Sequence, residues 1–286
     1  MRSLLFDIYV GLNSVYSGWI AWNLFLAFVP TLLSFQLFRP KAISSQFFKG
    51  AWVLTGAIGA VGISSRLRRI QASLTDSWQV VQIGGTEVRL QLLWLGIVGL
   101  VVLGASVCLS RQATLSKTGL WWLGLATFIA LLPNAPYVLT DVIHLIRATS
   151  YGDIRVWVVA LIFIPLHLFA MLLGFEAYVV ALININYFLK QRGLGSLIWS
   201  TELFLHALCA FGIYLGRFIR LNSWDVVIDP TSVLAITLNT LTSKRPVAVI
   251  FVTFVILAGF YWLMKQVTLG LKLRYEYARK GLDPLT

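Results

Sequence analysis

Long apolar runs separated by short polar stretches set the pattern of this chain. Residues 18–38 form the first run of the roughly 20 residues that a bilayer-spanning helix needs. Trp19 and Trp22 stand near its start as interfacial anchors. Residues 48–65 are shorter and carry Gly56, Gly59 and Gly62, a small-residue stripe suited to close helix contact. Residues 91–110 and 119–132 follow, separated by Arg111 and Lys117. Residues 154–189 are nearly uncharged and would extend roughly 54 Å as a helix, against a hydrocarbon core of roughly 30 Å. That excess allows either one crossing continued by an interfacial helix after Gly174, or two short crossings that turn there. Residues 197–220 and 247–264 complete the set. The pattern predicts an all-α polytopic transmembrane bundle of about seven spans, with six and eight left open.

The interruptions are also informative. Residues 66–90 begin with Arg66, Arg68 and Arg69, and then place Trp78–Ile83 and Thr86–Gln91 around Gly84-Gly85. This predicts a small β-hairpin with a primed turn in an extramembrane loop. Asp229-Pro230 is a start signal for a short surface helix to about Leu241. The tail, 265–286, reads as basic and polar. The expected plan is therefore one integral membrane domain over 1–286, with the loop at 66–90 and the tail as its polar appendages.

Composition agrees. The chain has 286 residues, of which 58% are hydrophobic and 12% charged, and its mean hydropathy is +0.82. A soluble domain carries about a quarter charged residues, so a water-exposed globule is excluded. The net charge of +12 would suggest nucleic acid in a soluble protein. Here the cations lie between apolar runs and suit lipid headgroups, and no basic stripe with interleaved aromatics exists for nucleic acid. The cations divide almost equally between the two sides, so orientation stays open. Cys108 and Cys209 lie within apolar runs and read as buried thiols. Asp7 interrupts the first apolar residues, so the first membrane helix is expected to be an uncleaved anchor.

Candidate chemistry concentrates in residues 131–145. Pro133 and Pro136 around Asn134 break a helix. After the break, Tyr137, Asp141 and His144 recur at i, i+4 and i+7 and share one face. Asp141 and His144 suit proton transfer, with Tyr137 beside them. Asn134 either joins that site or mends the break. Two ligands alone do not specify a metal, and no cofactor is named by the sequence.

A second constellation runs from 212 to 225. Arg217 and Arg220, one turn apart at a helix end, suit a phosphate or carboxylate, or simply snorkel to headgroups. Asn222, Trp224 and Asp225 follow as supporting residues, and Asn23 is positioned to join from the first span. Glu202 and His206 lie deeper at i, i+4, where ionisable groups usually serve a site. His167 and Glu176 form a weaker set, and Asn184 and Asn186 read as helix glue. If 154–189 crosses once, Asn23, Asn134, Tyr137, Asp141, His144, Arg217, Arg220 and Asp225 meet at one membrane boundary. Two crossings would separate them.

Three segments carry a family resemblance: Trp22-Asn23-Leu24-Phe25-Leu26-Ala27, then Leu132-Pro133-Asn134-Ala135-Pro136-Tyr137 with Thr140, Asp141 and His144, then Gly212–Arg220 with Asn222–Asp225. They resemble the bacterial membrane family called domain of unknown function 1361. Residues 39–90 look like an addition to that pattern. The resemblance implies a multi-pass protein of the bacterial inner membrane and implies no reaction. Three functions stay open. The first is a membrane enzyme on an anionic lipid-like substrate, with Arg217 and Arg220 binding the anion and Asp141 and His144 moving protons. The second is a non-catalytic assembly or scaffold subunit. The third is a proton- or anion-coupled transporter, which the absence of an internal repeat counts against. The expected partners are membrane lipids and a further membrane protein.

Overall fold

The computed structural model describes residues 18–64, 119–150, 155–221 and 230–282. The expected hairpin at 66–90, the span at 91–110 and the residues Asn222, Trp224 and Asp225 lie outside them. Among the described residues, six helical runs are long and apolar enough to cross a membrane.

Helix α1 (Trp19–Phe38) is the hub. It is apolar on all sides, as a helix enclosed by lipid and protein must be. Thr31 donates across to the Ala177 carbonyl at 2.9 Å, and Ser34 accepts from Asn184 at 2.9 Å. The latter bond fits the reading of Asn184 as helix glue.

Helix α2 (Ser45–Ser64) returns antiparallel to α1. Gly59 lies against Phe25 and Gly62 against Trp22, so a Cβ at Gly62 would come within 2.7 Å of the Trp22 backbone nitrogen. Gly56 faces open space. The working stripe is thus narrower than the sequence pattern.

Helix α3 (Gly119–Leu131) runs back along α1. The Trp121 indole donates to the Leu37 carbonyl at 3.4 Å, and Phe128 meets Phe38 edge-on at 5.3 Å. After the break come α4 (Asn134–Tyr137), a 3-10 turn (Val138–Asp141) and α5 (Val142–Ser150).

Residues Val156–Gln191 form one continuous helix, α6, with a π-helical turn at Val159–Phe163. There is no turn at Gly174. That glycine serves a close approach instead, since a Cβ there would sit 2.8 Å from Val138 Cγ2. Helix α6 runs parallel to α1, pairing Trp19 with His167 at one end and Phe38 with Phe188 at the other.

Helix α7 (Gly195–Ile219) returns through a tight turn with Gly193 at φ 72°. It ends in a second π-helical turn, Leu215–Ile219, and Arg220 then takes a left-handed φ of 67°. Helix α8 (Pro230–Thr242) begins at the proline expected to start it.

Helix α9 (Lys244–Arg279, 36 residues) carries the last apolar run on without a break into the basic stretch that begins at Lys265. Leu, Ala, Lys and Arg after Lys265 favour helix, and the stop comes at Gly281. Its φ of 71° and the Leu282 N–H bond to the Tyr277 carbonyl form a Schellman end.

The core gathers Ala27, Phe128, Leu132, Tyr178, Leu182 and Cys209, all at most 1% exposed. Lipid is as apolar as these side chains, so helix association depends on close contact and polar links. Glycine contacts and buried polar groups therefore carry much of the specificity of this bundle.

Candidate functional site

The broken helix lies in a groove between α6 and α7 that small residues make possible. A Cβ at Gly212 would fall 2.7 Å from Pro133 Cβ, and one at Gly216 would fall 3.1 Å from the Tyr137 ring. With Gly174 against Val138, these contacts seat residues 133–138 directly on two helix backbones. Asn134 mends the break, its amide donating to the Leu131 carbonyl at 3.0 Å. This answers the need of a freed carbonyl at membrane depth.

Beyond the break, the face predicted from spacing is assembled around Arg217. Its Nη2 donates to Asp141 Oδ1 at 2.8 Å and to Thr140 Oγ1 at 2.6 Å. Its Nε donates to the same hydroxyl at 2.9 Å. Its Nη1 lies 3.4 Å from His144 Nε2, and its guanidinium stands 4.4 Å from the Tyr137 ring centroid. Asn23 reaches across from α1 and donates to Asp141 Oδ2 at 2.7 Å. The Asp141 side chain is 3% exposed and that of Arg217 15%. A carboxylate so enclosed is tolerated only when its lone pairs are met, and here each oxygen has a donor from another helix.

Trp19 closes the inner side, with its ring 4.4 Å from His144 and 5.4 Å from His167. His167 Nδ1 is 2.8 Å from the Phe163 carbonyl, in the π-helical turn. A crevice among Trp19, Val138, Asp141, His167, Ala170 and Met171 is too narrow for a water-sized group.

Arg220 does not share this arrangement. It is exposed, past the π-helical turn that aims Arg217 inward. A π turn holds more residues per turn than an α turn, so the spacing that aligned the two arginines in sequence no longer does so.

Glu202 and His206 belong to a separate cluster. Glu202 Oε1 accepts from Asn186, Tyr261 and Lys265. His206 Nδ1 pairs with the Tyr178 hydroxyl at 2.6 Å, and its ring lies 4.7 Å from that of Tyr261. The Thr268 hydroxyl bonds Glu176 at 2.7 Å on the same side of α6. His206 and Arg217 are about 16 Å apart along α7 at helical rise, with the buried apolar Ile213 between them.

The comparisons bear on family. The model for proteins of unknown function called DUF1361 matches residues 94–258, more than half of the chain. The chain belongs to the DUF1361 family. No curated protein and no solved structure matches it. The matched stretch holds Asp141, His144, Arg217 and Glu202, whereas Asn23 lies outside it on α1.

Several partners escaped the sequence reading. Thr140 was visible inside the motif, but its double bond to Arg217 was not. Tyr178 and Tyr261 are ordinary by type and Lys265 stood at the start of the tail, so only the approach of α6 and α9 to α7 gives them a role.

Proposed function

We propose that this member of the family is a non-catalytic subunit of a membrane assembly, in the bacterial inner membrane. Its boundary cluster is a lock that fixes the broken helix against α1 and α7. One observation carries this reading: Asn23 and Arg217 hold the two Asp141 oxygens at 2.7 and 2.8 Å. These bonds join Asp141 to two other helices, and the crevice beside it is narrow. The transporter reading loses support on α7, where the buried apolar Ile213 stands between His206 and Arg217.

The test is the double substitution Asp141→Leu/Arg217→Met, which removes both charges together. Apolar replacement of a whole buried pair is often tolerated. The double variant is expected to fold and to join the same native complex, seen on native gels after mild solubilisation. A folded, assembled double variant that fails to rescue a deletion strain overturns the proposal and returns the site to catalysis.

A second reading keeps the anion at this boundary. It is favoured by the exposed Arg220 at a non-glycine left-handed position beside the helix end. In that reading Arg220 meets an anionic headgroup while Arg217 stays in the lock. Native mass spectrometry showing anionic lipid retained by the wild type and lost in Arg220→Ala would support it. Equal retention would remove it.

A further inference from the structure

At the end of the bundle opposite the boundary lock, α1 and α6 present cations held on aromatic rings. Phe38 packs on Phe188 at 5.5 Å, and Trp121 stacks on Phe188 at 6.1 Å. On this platform the Arg39 guanidinium stands 4.6 Å from the Tyr187 ring centroid, and that of Arg192 stands 5.2 Å from the Phe188 centroid. Two neighbouring residues of α6 thus hold two planar forks. The backbone fixes both stems. The Arg39 N–H bonds the Phe35 carbonyl, and the Arg192 N–H bonds the carbonyls of Phe188 and Leu189. Tyr187 and Trp122 are 40% and 58% exposed, as expected of rings at the level of lipid headgroups.

No carboxylate answers these arginines. Residues 18–64 and 177–201 contain neither Asp nor Glu. Glu202, the first acid beyond them, is taken by Lys265, Asn186 and Tyr261. Lys41, Lys49 and Lys190 are exposed at the same end. Among the described residues, none of these five cations has an ion pair. Arg39 and Arg192 complement the negative C-terminal ends of α1 and α6. Lys41 and Lys49 have no such account. They flank the start of α2, whose first turn holds no acid and whose dipole is positive there. The excess charge therefore calls for an anion from outside the chain, whereas Arg217 at the other end has Asp141.

We infer that Arg39 and Arg192, with Lys41 and Lys190 beside them, form a binding site for the phosphate of an anionic phospholipid. The rings hold both guanidinia in place, and their forks match phosphate oxygens. A cluster of Lys and Arg at the membrane boundary is the chemistry that anionic headgroups meet. A lipid is favoured over a soluble anion because the cations stand level with Trp121, Trp122 and Tyr187, side-chain types that mark the membrane interface. The site is distinct from Arg220, at the far end of α7, and is independent of the scaffold reading.

Native mass spectrometry of the full chain in non-ionic detergent reads the binding. The probes are phosphatidylglycerol and phosphatidylcholine with matched acyl chains. Phosphatidylglycerol is expected to bind the wild type more tightly, and Arg39→Gln/Arg192→Gln to weaken it about tenfold or more. Arg192→Gln alone, at an exposed position, is expected to weaken it severalfold and serves if the double variant fails to fold. Arg39→Lys/Arg192→Lys keeps the charge but loses the planar forks, and is expected to fall between wild type and the Gln pair. The charge-matched control Arg274→Gln/Arg279→Gln, on the exposed end of α9, is expected to stay within about twofold of the wild type. An equal loss in that control overturns the site in favour of bulk attraction between charges. Unchanged binding in the Gln variants, or full affinity in the Lys variant, overturns it as well. Displacement of the lipid by excess inorganic phosphate overturns the lipid assignment in favour of a free anion.

Discussion

The two ends of α7 carry two ion pairs built in different ways. At one end, Arg217 enters a site whose other members come mostly from one short stretch, Tyr137 to His144. At the other, Glu202 gathers Asn186 from α6 and Tyr261 and Lys265 from α9. The first pair is deeper, with side chains 3% and 15% exposed against 12% and 21%. It also sits beside a helix whose own hydrogen bonding is broken. The difference teaches that the boundary pair repairs a weakness in its own segment, while the Glu202 pair ties separate helices together. Losing one partner should therefore cost more at the boundary.

The largest effect is expected from Asp141→Leu, which leaves Arg217 without its carboxylate and should destabilise by about 3–5 kcal/mol. Thermal unfolding in detergent measures it. Glu202→Leu should lose less, about 1–2 kcal/mol, because the Lys265 stem can carry its charge toward headgroups. A larger loss at Glu202 would break the comparison. Adding Arg217→Met to Asp141→Leu should recover most of the first loss, and a double-mutant cycle reads that coupling.

Next comes Gly174→Ala. Its methyl group would press on Val138, so a loss of about 1–3 kcal/mol is expected from overpacking. Gly212→Ala should behave alike against the rigid Pro133 ring, and a neutral result there would show that the groove is looser than its geometry. The smallest effect belongs to Gly56→Ala, which meets nothing within 4 Å and should stay within about 0.5 kcal/mol. Gly62→Ala, pressed on the Trp22 backbone, should exceed it clearly.

The boundary site was legible because its residues are local. Proline positions announce a break, and i, i+4, i+7 spacing announces a face, so Tyr137, Asp141 and His144 could be grouped before any fold was known. Arg217 could be nominated as a partner by type. Arg220 was grouped with it only because an α-helical period was assumed, and the π-helical turn removed it. Asn134 was offered two roles, and its bond to Leu131 shows the mending one at work.

What the amino-acid sequence determined alone is the medium and the periodicity. Apolar length dictates helices, since every backbone group in lipid must find a partner within its own helix. Local spacing dictates which residues share a helix face. What only the tertiary structure decided is which faces meet. That residues 156–191 form one helix, that α6 and α9 bring Asn186, Tyr261 and Lys265 to Glu202, and that Asn23 reaches Asp141 all depend on contacts between residues far apart in the chain. No local pattern encodes them, because their energies arise from the close approach of backbones that glycines permit and polar side chains fasten.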